Sequence, residues 1–292
     1  GKTDLAIELH RRFAVDIISV ESALVYRGMD IGTAKPTLEE QQRVRHHLIN
    51  VVWPNQEFHA ARFIDLAEAA MLDIRHRNKR PFLVGGTGLY IRALTEGLLN
   101  APGADPDLRK ELHDRAEHEG SEVLHAELAG IDPDSAARLH PNDLIRIVRA
   151  LEVFHQSGRP LSELQNEHGF NTEHYRTLKI GLTCDREILY DRIDRRSEAM
   201  FQDGLLEEVE QILQAGYDPG LKIFRTIGYR QAFALLRGEI TRDEAVEDLK
   251  RSTRRYAKQQ VTWFRKDKSI IWLESSSDFV TIQKLIENFH AI

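Results

Sequence analysis

The 292-residue chain carries 40 Lys and Arg against 46 Asp and Glu, a net charge of −6, with 41% apolar and 29% charged residues. Those proportions suit a globular chain with room for one large α/β domain or for a core plus an appendage, and they exclude a generic polyanion binder. Cys184 is the single cysteine, which excludes an internal disulfide framework and fits a reducing cytoplasm; no apolar run is long enough to span a bilayer, and no signal-peptide core opens the chain.

In chain order, residues 2–13 predict a helix with Leu5, Ala6, Leu9 and Phe13 on one stripe. The β-branched run "VDIISV" (15–20) predicts a strand buried on both faces. A long helical pattern covers 59–78, and "PFLVGGTGLY" reads as a second buried strand breaking into a Gly-rich turn at 85–88. Strands alternating with helices imply a parallel sheet with crossovers. The turn-rich "NAPGADPDL" near residue 100 marks a boundary, and 104–176 is almost wholly short charged helices. "TLKIGLTC" (177–184) restores a buried strand, helices follow, and "SIIWLE" (269–274) predicts a last strand. The domains expected are therefore an α/β core of 1–103 and 177–292, interrupted by a helical insertion of 104–176.

Two stretches point to phosphate. The chain opens on Gly1, Lys2 and Thr3 directly before a helical pattern. A phosphate-binding loop ends this way: backbone N–H groups and the helix dipole face the anion, the lysine adds a point charge, and the hydroxyl serves Mg²⁺. Gly-Lys-Thr alone is equally compatible with a helix N-terminus that binds nothing. Further on, "RSTRRYAKQQVTWFRKDK" (251–268) sets Arg251, Arg254, Arg255, Lys258, Arg265, Lys266 and Lys268 against Asp267, with Tyr256, Trp263 and Phe264 interleaved. That composition suits a surface meeting phosphates and bases together, and equally a solvated helix face with its aromatics in the core. Between them, "ISVESALVYRGMDIGTAKP" (18–36) sets Glu21 at the carboxyl end of a strand, where ligands of open α/β sheets bind.

With these stretches in hand the chain resembles the tRNA dimethylallyltransferase (tRNA isopentenylpyrophosphate transferase) family. The matches are "GKT" (1–3), "SVESALVYRGMDIGTAKP" (19–36), "LVGGTGLYIRALTEGL" (83–98), "HPNDLIRIVRALEVF" (140–154), "RIDRRSEAMFQDGLLEEV" (192–209), "RTIGYRQ" (225–231) and "AKQQVTWFRK" (257–266), in family order. The resemblance implies a P-loop NTPase-like parallel sheet core flanked by helices, with a helical insertion domain. It implies a loop that begins before residue 1 and is used on a prenyl diphosphate rather than ATP. The implied reaction moves a dimethylallyl group from dimethylallyl diphosphate to N6 of adenosine-37, immediately 3′ of the anticodon, and releases diphosphate. Glu21 is the implied base, in place of the family's aspartate, and its extra methylene displaces the carboxylate by on the order of 1 Å. Lys2, Thr3 with Mg²⁺, and Arg196 are implied for the leaving group, with Gly1 in the cradle.

For tRNA the resemblance implies Glu21, Ser22, Ala23, Leu24, Thr87, Arg109, Ile145, Arg146, Ile147, Val148, Arg149, Arg225, Thr226, Ile227, Gly228, Tyr229 and Arg230. Among these, the apolar Ile145, Ile147 and Val148 read as a buried helix face, which leaves Arg146 and Arg149 as the stronger RNA contacts. The target adenine must flip out of its stack to reach the base, with the insertion gripping the anticodon stem-loop. A monomer free of membrane is expected. A P-loop small-molecule kinase, an isopentenyltransferase of free adenine nucleotides and a non-enzymatic RNA-binding module are the rival readings.

Overall fold

In the computed structural model, which describes residues 1–169, 174–274 and 278–291, α1 (Lys2–Phe13) turns through a left-handed Ala14 into β1 (Val15–Val20). Every residue of β1 is buried, as suits a central strand, including the polar Asp16 and Ser19. Next come α2 (Leu38–Arg43), the two-residue β2 (His46–His47), α3 (Ala60–His76), β3 (Arg80–Gly85) and α4 (Gly88–Glu96). Pairing is parallel in the order β2-β1-β3, with Val15 opposite Arg80 and Val20 opposite Gly85. β3 is an edge strand, so it is half-buried rather than covered on both faces.

The chain divides into two units, Gly1–Leu94 with Arg176–Ile292, and Thr95–Tyr175. The division falls inside α4, earlier than the change of composition near residue 100 suggests, because that helix continues across it. The second unit holds α5 (Pro106–Glu119), α6 (Ser121–Ile131), α7 (Pro133–Arg138), α8 (Leu144–Ser157) and α9 (Leu161–His168). Asp105 caps α5 and Asp132 caps α7, each followed by a proline in the first helical turn. Leu112, Leu124, Leu128, Ile147, Val148 and Leu151 form this unit's own core.

The first unit resumes with β4 (Ile180–Thr183), α10 (Arg186–Gln202), α11 (Leu205–Gln214), a 3-10 turn (Lys222–Arg225), α12 (Tyr229–Leu236), α13 (Arg242–Phe264), β5 (Ile271–Glu274) and α14 (Phe279–Ala291). β4 and β5 pair in parallel with each other alone. Both are shorter and more exposed than their apolar sequences predict, because each has a single partner. Leu9, Phe13 and Val15 pack with Ile180, Leu182, Leu273, Ile282 and Ile286, which joins the two strand groups in one apolar cluster. Among the described residues no helix is long and apolar enough to cross a membrane.

Asp16 lies fully buried in β1 and accepts from Arg77 Nη1 at 2.6 Å and Lys79 Nζ at 2.9 Å. Burial pushes its pKa up, but the hydrogen bonds and charges of Lys79 and Arg77 outweigh that and hold it below the usual aspartate value. A carboxyl whose folded pKa is depressed stabilises the fold above its unfolded pKa of about 4, and that stability is lost as pH falls through the folded value. Asp16→Asn is therefore expected to melt below the wild type at pH 7, with the gap closing as the pH of the thermal scans is taken below about 4.

Candidate functional site

Glu21 is the first residue past β1, so strand geometry delivers its carboxylate to the carboxyl edge of the sheet. Lys2, in the first turn of α1, reaches across and sets Nζ 3.1 Å from Glu21 Oε1. The lysine side chain is 45% exposed and the glutamate 25%, so the pair is open to a ligand from solvent. Thr3 is half-buried beside Lys2 in the same turn. A lysine ammonium and a carboxylate thus stand side by side.

The Gly-rich turn after β3 forms the second wall. Thr87 N donates to Val20 O at 3.1 Å, and Ser22 N donates to Thr87 Oγ1 at 3.1 Å. The turn is thereby stitched to the residues on both sides of Glu21. Gly85 lies so close to β1 that a Cβ there would stand 2.2 Å from Val20 O, which explains the glycine. From the other side α13 closes in. Gln260 Nε2 donates to Gly86 O at 3.1 Å, and a Cβ on Gly88 would stand 2.1 Å from Trp263 Nε1. The phenol of Tyr256, a residue 39% exposed, faces Gln260 and Thr87; desolvation of that end, reinforced by the Glu21 charge, pushes it above the ordinary tyrosine value against the effect of those two partners. Tyr256 therefore stays protonated at neutral pH.

Arg196 is exposed on α10, and no hydrogen bond or ion pair joins it to Lys2 or Glu21 among the described residues. Its neighbour Arg195 pairs with Asp191, as a surface arginine does. The basic tract of α13 is partly neutralised: Arg251 pairs with Asp248 and Arg254 with Asp194, while Arg255 and Lys258 are exposed. Three of the tract's uncharged residues, Tyr256, Gln260 and Trp263, do the packing on the turn. The sequence reading set Tyr256 and Trp263 apart only as aromatics among charges; their shared stripe with Gln260, at i, i+4 and i+7, was the signal that would have found all three.

The expected tRNA contacts differ in exposure. Leu24, Ile147, Val148, Gly228 and Tyr229 are buried, so the side chains of Leu24, Ile147, Val148 and Tyr229 serve the core. Ile145, expected inside, is 78% exposed, because it lies on the outer face of α8 beside Arg146 while Ile147, Val148 and Leu151 face inward. Ser22, Arg146, Arg225 and Arg230 are exposed; Glu21, Ala23, Thr87, Arg109, Arg149, Thr226 and Ile227 are half-buried. Arg109 and Arg149 are both engaged by the buried Glu152: Arg109 Nε lies 2.8 Å and Nη2 2.9 Å from its oxygens, and Arg149 Nη1 lies 2.6 Å away. Arg149 Nη2 also donates to Pro102 O at 2.7 Å. Burial disfavours the charged carboxylate of Glu152, yet the hydrogen bonds from the two arginines and from Asp105 N hold its pKa below the usual glutamate value. These arginines hold the second unit together.

For Mg²⁺ the donor set is small. No group of three or more His, Cys, Asp or Glu among the described residues is arranged to hold a metal ion. What is present, a half-buried Thr3 hydroxyl in the first turn of α1, fits an ion that takes most of its oxygens from phosphate and water, as Mg²⁺ does.

Residues 24–267 match the model of the IPP transferase family. The tRNA dimethylallyltransferase of Geobacter metallireducens is 52% identical over 99% of this chain and 94% of its own length, and that of Geobacter sulfurreducens is 50% identical over 99% and 93%. Among solved structures, the tRNA isopentenylpyrophosphate transferase of Bacillus halodurans is 38% identical, with a TM-score of 0.72 over 99% of this chain and 92% of that one. A eukaryotic dimethylallyltransferase described as acting on tRNA is 30% identical, with a TM-score of 0.80 over 98% and 75%.

Proposed function

The chain belongs to the IPP transferase family, and from that premise we propose that it transfers a dimethylallyl group from dimethylallyl diphosphate to N6 of adenosine-37 in tRNA, giving N6-isopentenyladenosine and diphosphate. The observation that carries the reading is the Glu21 carboxylate standing 3.1 Å from Lys2 at the carboxyl end of β1. The adenine amine is a weak nucleophile because its lone pair is delocalised into the ring. Glu21 takes a proton from N6 as the new C–N bond forms, and the allylic C–O bond breaks with its electron pair leaving on the diphosphate. Lys2 meets the charge that builds on that leaving group. Arg196 is assigned to the same anion by its match to the family motif. Thr3 is the residue that would hold Mg²⁺, which would supply further neutralisation of the leaving group.

Access to Glu21 requires the adenosine to leave its stack. The helical second unit is assigned to the anticodon stem-loop, and the enzyme acts as a cytoplasmic monomer. The test incubates the protein with radiolabelled dimethylallyl diphosphate, Mg²⁺ and an anticodon stem-loop carrying adenosine-37. Label entering that RNA, and not its guanosine-37 counterpart, is the expected result. Label entering free AMP instead would transfer the activity to nucleotides.

Exposure separates the arginines of α8. Arg146 is 68% exposed and pairs with Asp143 at 3.0 Å. Arg146→Ala is expected to weaken stem-loop binding and to lower the salt slope of that binding by about 1, with diphosphate affinity unchanged. Arg149→Ala strips a partner from buried Glu152 and should lower the melting temperature as well as RNA affinity. Filter binding across a salt series, set beside thermal scans, reads both.

A further inference from the structure

We propose that Tyr256 and Gln260 are positioning residues that set the reactive carboxylate through Thr87. The inference rests on Glu21 being the base of the prenyl transfer described above. It begins with a chain of contacts rather than with any one residue. Gln260 Nε2 holds the Gly86 carbonyl at 3.1 Å, and its amide lies so close to Gly86 that a Cβ there would meet Nε2 at 2.0 Å. Thr87 follows directly and is fixed at three points: its N–H on Val20 O, its hydroxyl oxygen under Ser22 N, and its side chain against Tyr256. Val20 and Ser22 are the two residues flanking Glu21.

Glu21 has a flexible side chain, and its ion-pair partner among the described residues, Lys2, sits on an exposed helix end. The backbone on which it is mounted is thus the one rigid determinant of where the carboxylate points. That backbone is held from the far side by a single helix face. Tyr256, Gln260 and Trp263 fall at i, i+4 and i+7 of α13, a spacing that presents all three to one surface. Without the Tyr256 hydroxyl, the Thr87 hydroxyl loses a partner, and the peptide at Ser22 is left with a looser acceptor. A displacement of even about 1 Å at a catalytic group can lower a rate by up to ~10²-fold. Neither Tyr256 nor Gln260 is needed to bind diphosphate, whose cradle is at the start of α1.

Tyr256→Phe keeps the ring and removes only the hydroxyl. With saturating stem-loop, its kcat is expected to fall about tenfold, while KM for dimethylallyl diphosphate stays within about twofold of wild type. Gln260→Ala is expected to show the same split. The Tyr256→Phe and Thr87→Val pair should be strongly non-additive, the double variant being no slower than the slower single one, because both act along one contact chain. An unchanged kcat, additive effects, or a fall in kcat that tracks a fall in melting temperature in both single variants would overturn the inference. Wild-type protein that fails to prenylate the stem-loop would instead overturn the functional reading on which it stands.

Discussion

Glu21→Gln is expected to lower kcat for prenyl transfer by about 10²- to 10⁴-fold, the range assigned to a positioned general base, and to leave binding of the prenyl diphosphate nearly intact. The amide is almost isosteric, so the turn and the sheet edge should not move. What changes is chemical: a carboxamide takes no proton from the adenine amine, and it offers Lys2 a neutral acceptor in place of the charge 3.1 Å away. With that charge gone, Lys2 is expected to hold diphosphate as well as before or better. Separating the two effects is therefore decisive. Single-turnover transfer measures the chemical step, and competition by inorganic diphosphate measures the cradle. A variant that lost both together would place Glu21 in anion binding through Lys2 and not in proton transfer. A variant with near wild-type turnover would remove it from the mechanism.

The parts of this site that could be read from sequence are those whose cause is local. β1 is legible because four β-branched apolar residues in six, Val15, Ile17, Ile18 and Val20, suit a central strand, and Glu21 follows it directly. α1 is legible from its apolar stripe at Ala6, Leu9 and Phe13. Helical period fails at α8 for a specific reason: Ile145 is apolar yet sits at the start of the helix on the outer face, and residue type alone put it with Ile147 and Val148. β4 and β5 were read too long and too buried because apolar composition does not reveal how many partners a strand finds. Contacts between distant segments were the least legible. Nothing near residue 260 announces that its amide will cap a carbonyl at residue 86, and the charges around it direct attention to the solvent face of the same helix. Tyr229 likewise carries a family motif, but its place in the fold is set by a glutamate on another helix.

That glutamate supports the second large prediction. Glu208, on α11, is 8% exposed and organises the loop that follows the site. Its Oε2 accepts from Asp30 N at 2.7 Å and Ile31 N at 2.8 Å, and its Oε1 accepts from Gly32 N at 3.1 Å and from the Tyr229 hydroxyl at 2.6 Å. Burial and then the Glu208 charge push the Tyr229 phenol far above its ordinary value, so it remains a donor at any working pH. Gly32 presses so closely on the Tyr229 ring that a Cβ would lie 2.6 Å from it, which ties the loop to the same phenol. Glu208→Ala strands three backbone N–H groups and a phenol at once. At roughly 1–3 kcal/mol for each buried donor left unmade, in full for Gly32 N and the Tyr229 hydroxyl and less for the part-buried Asp30 and Ile31 N–H groups, a loss of about 4 kcal/mol is expected. For a unit of this size that corresponds to a fall of about 10 °C in melting temperature. Tyr229→Phe removes one of the four bonds and should cost only about 1–2 kcal/mol; added to Glu208→Ala it should cost almost nothing more, since its partner is already gone. Thermal and urea unfolding of the three variants measure all of this. A Glu208→Ala protein melting within a few degrees of wild type would show that the apolar cluster of Met29, Leu205, Phe224 and Tyr229 holds the loop by itself, with the carboxylate contributing little.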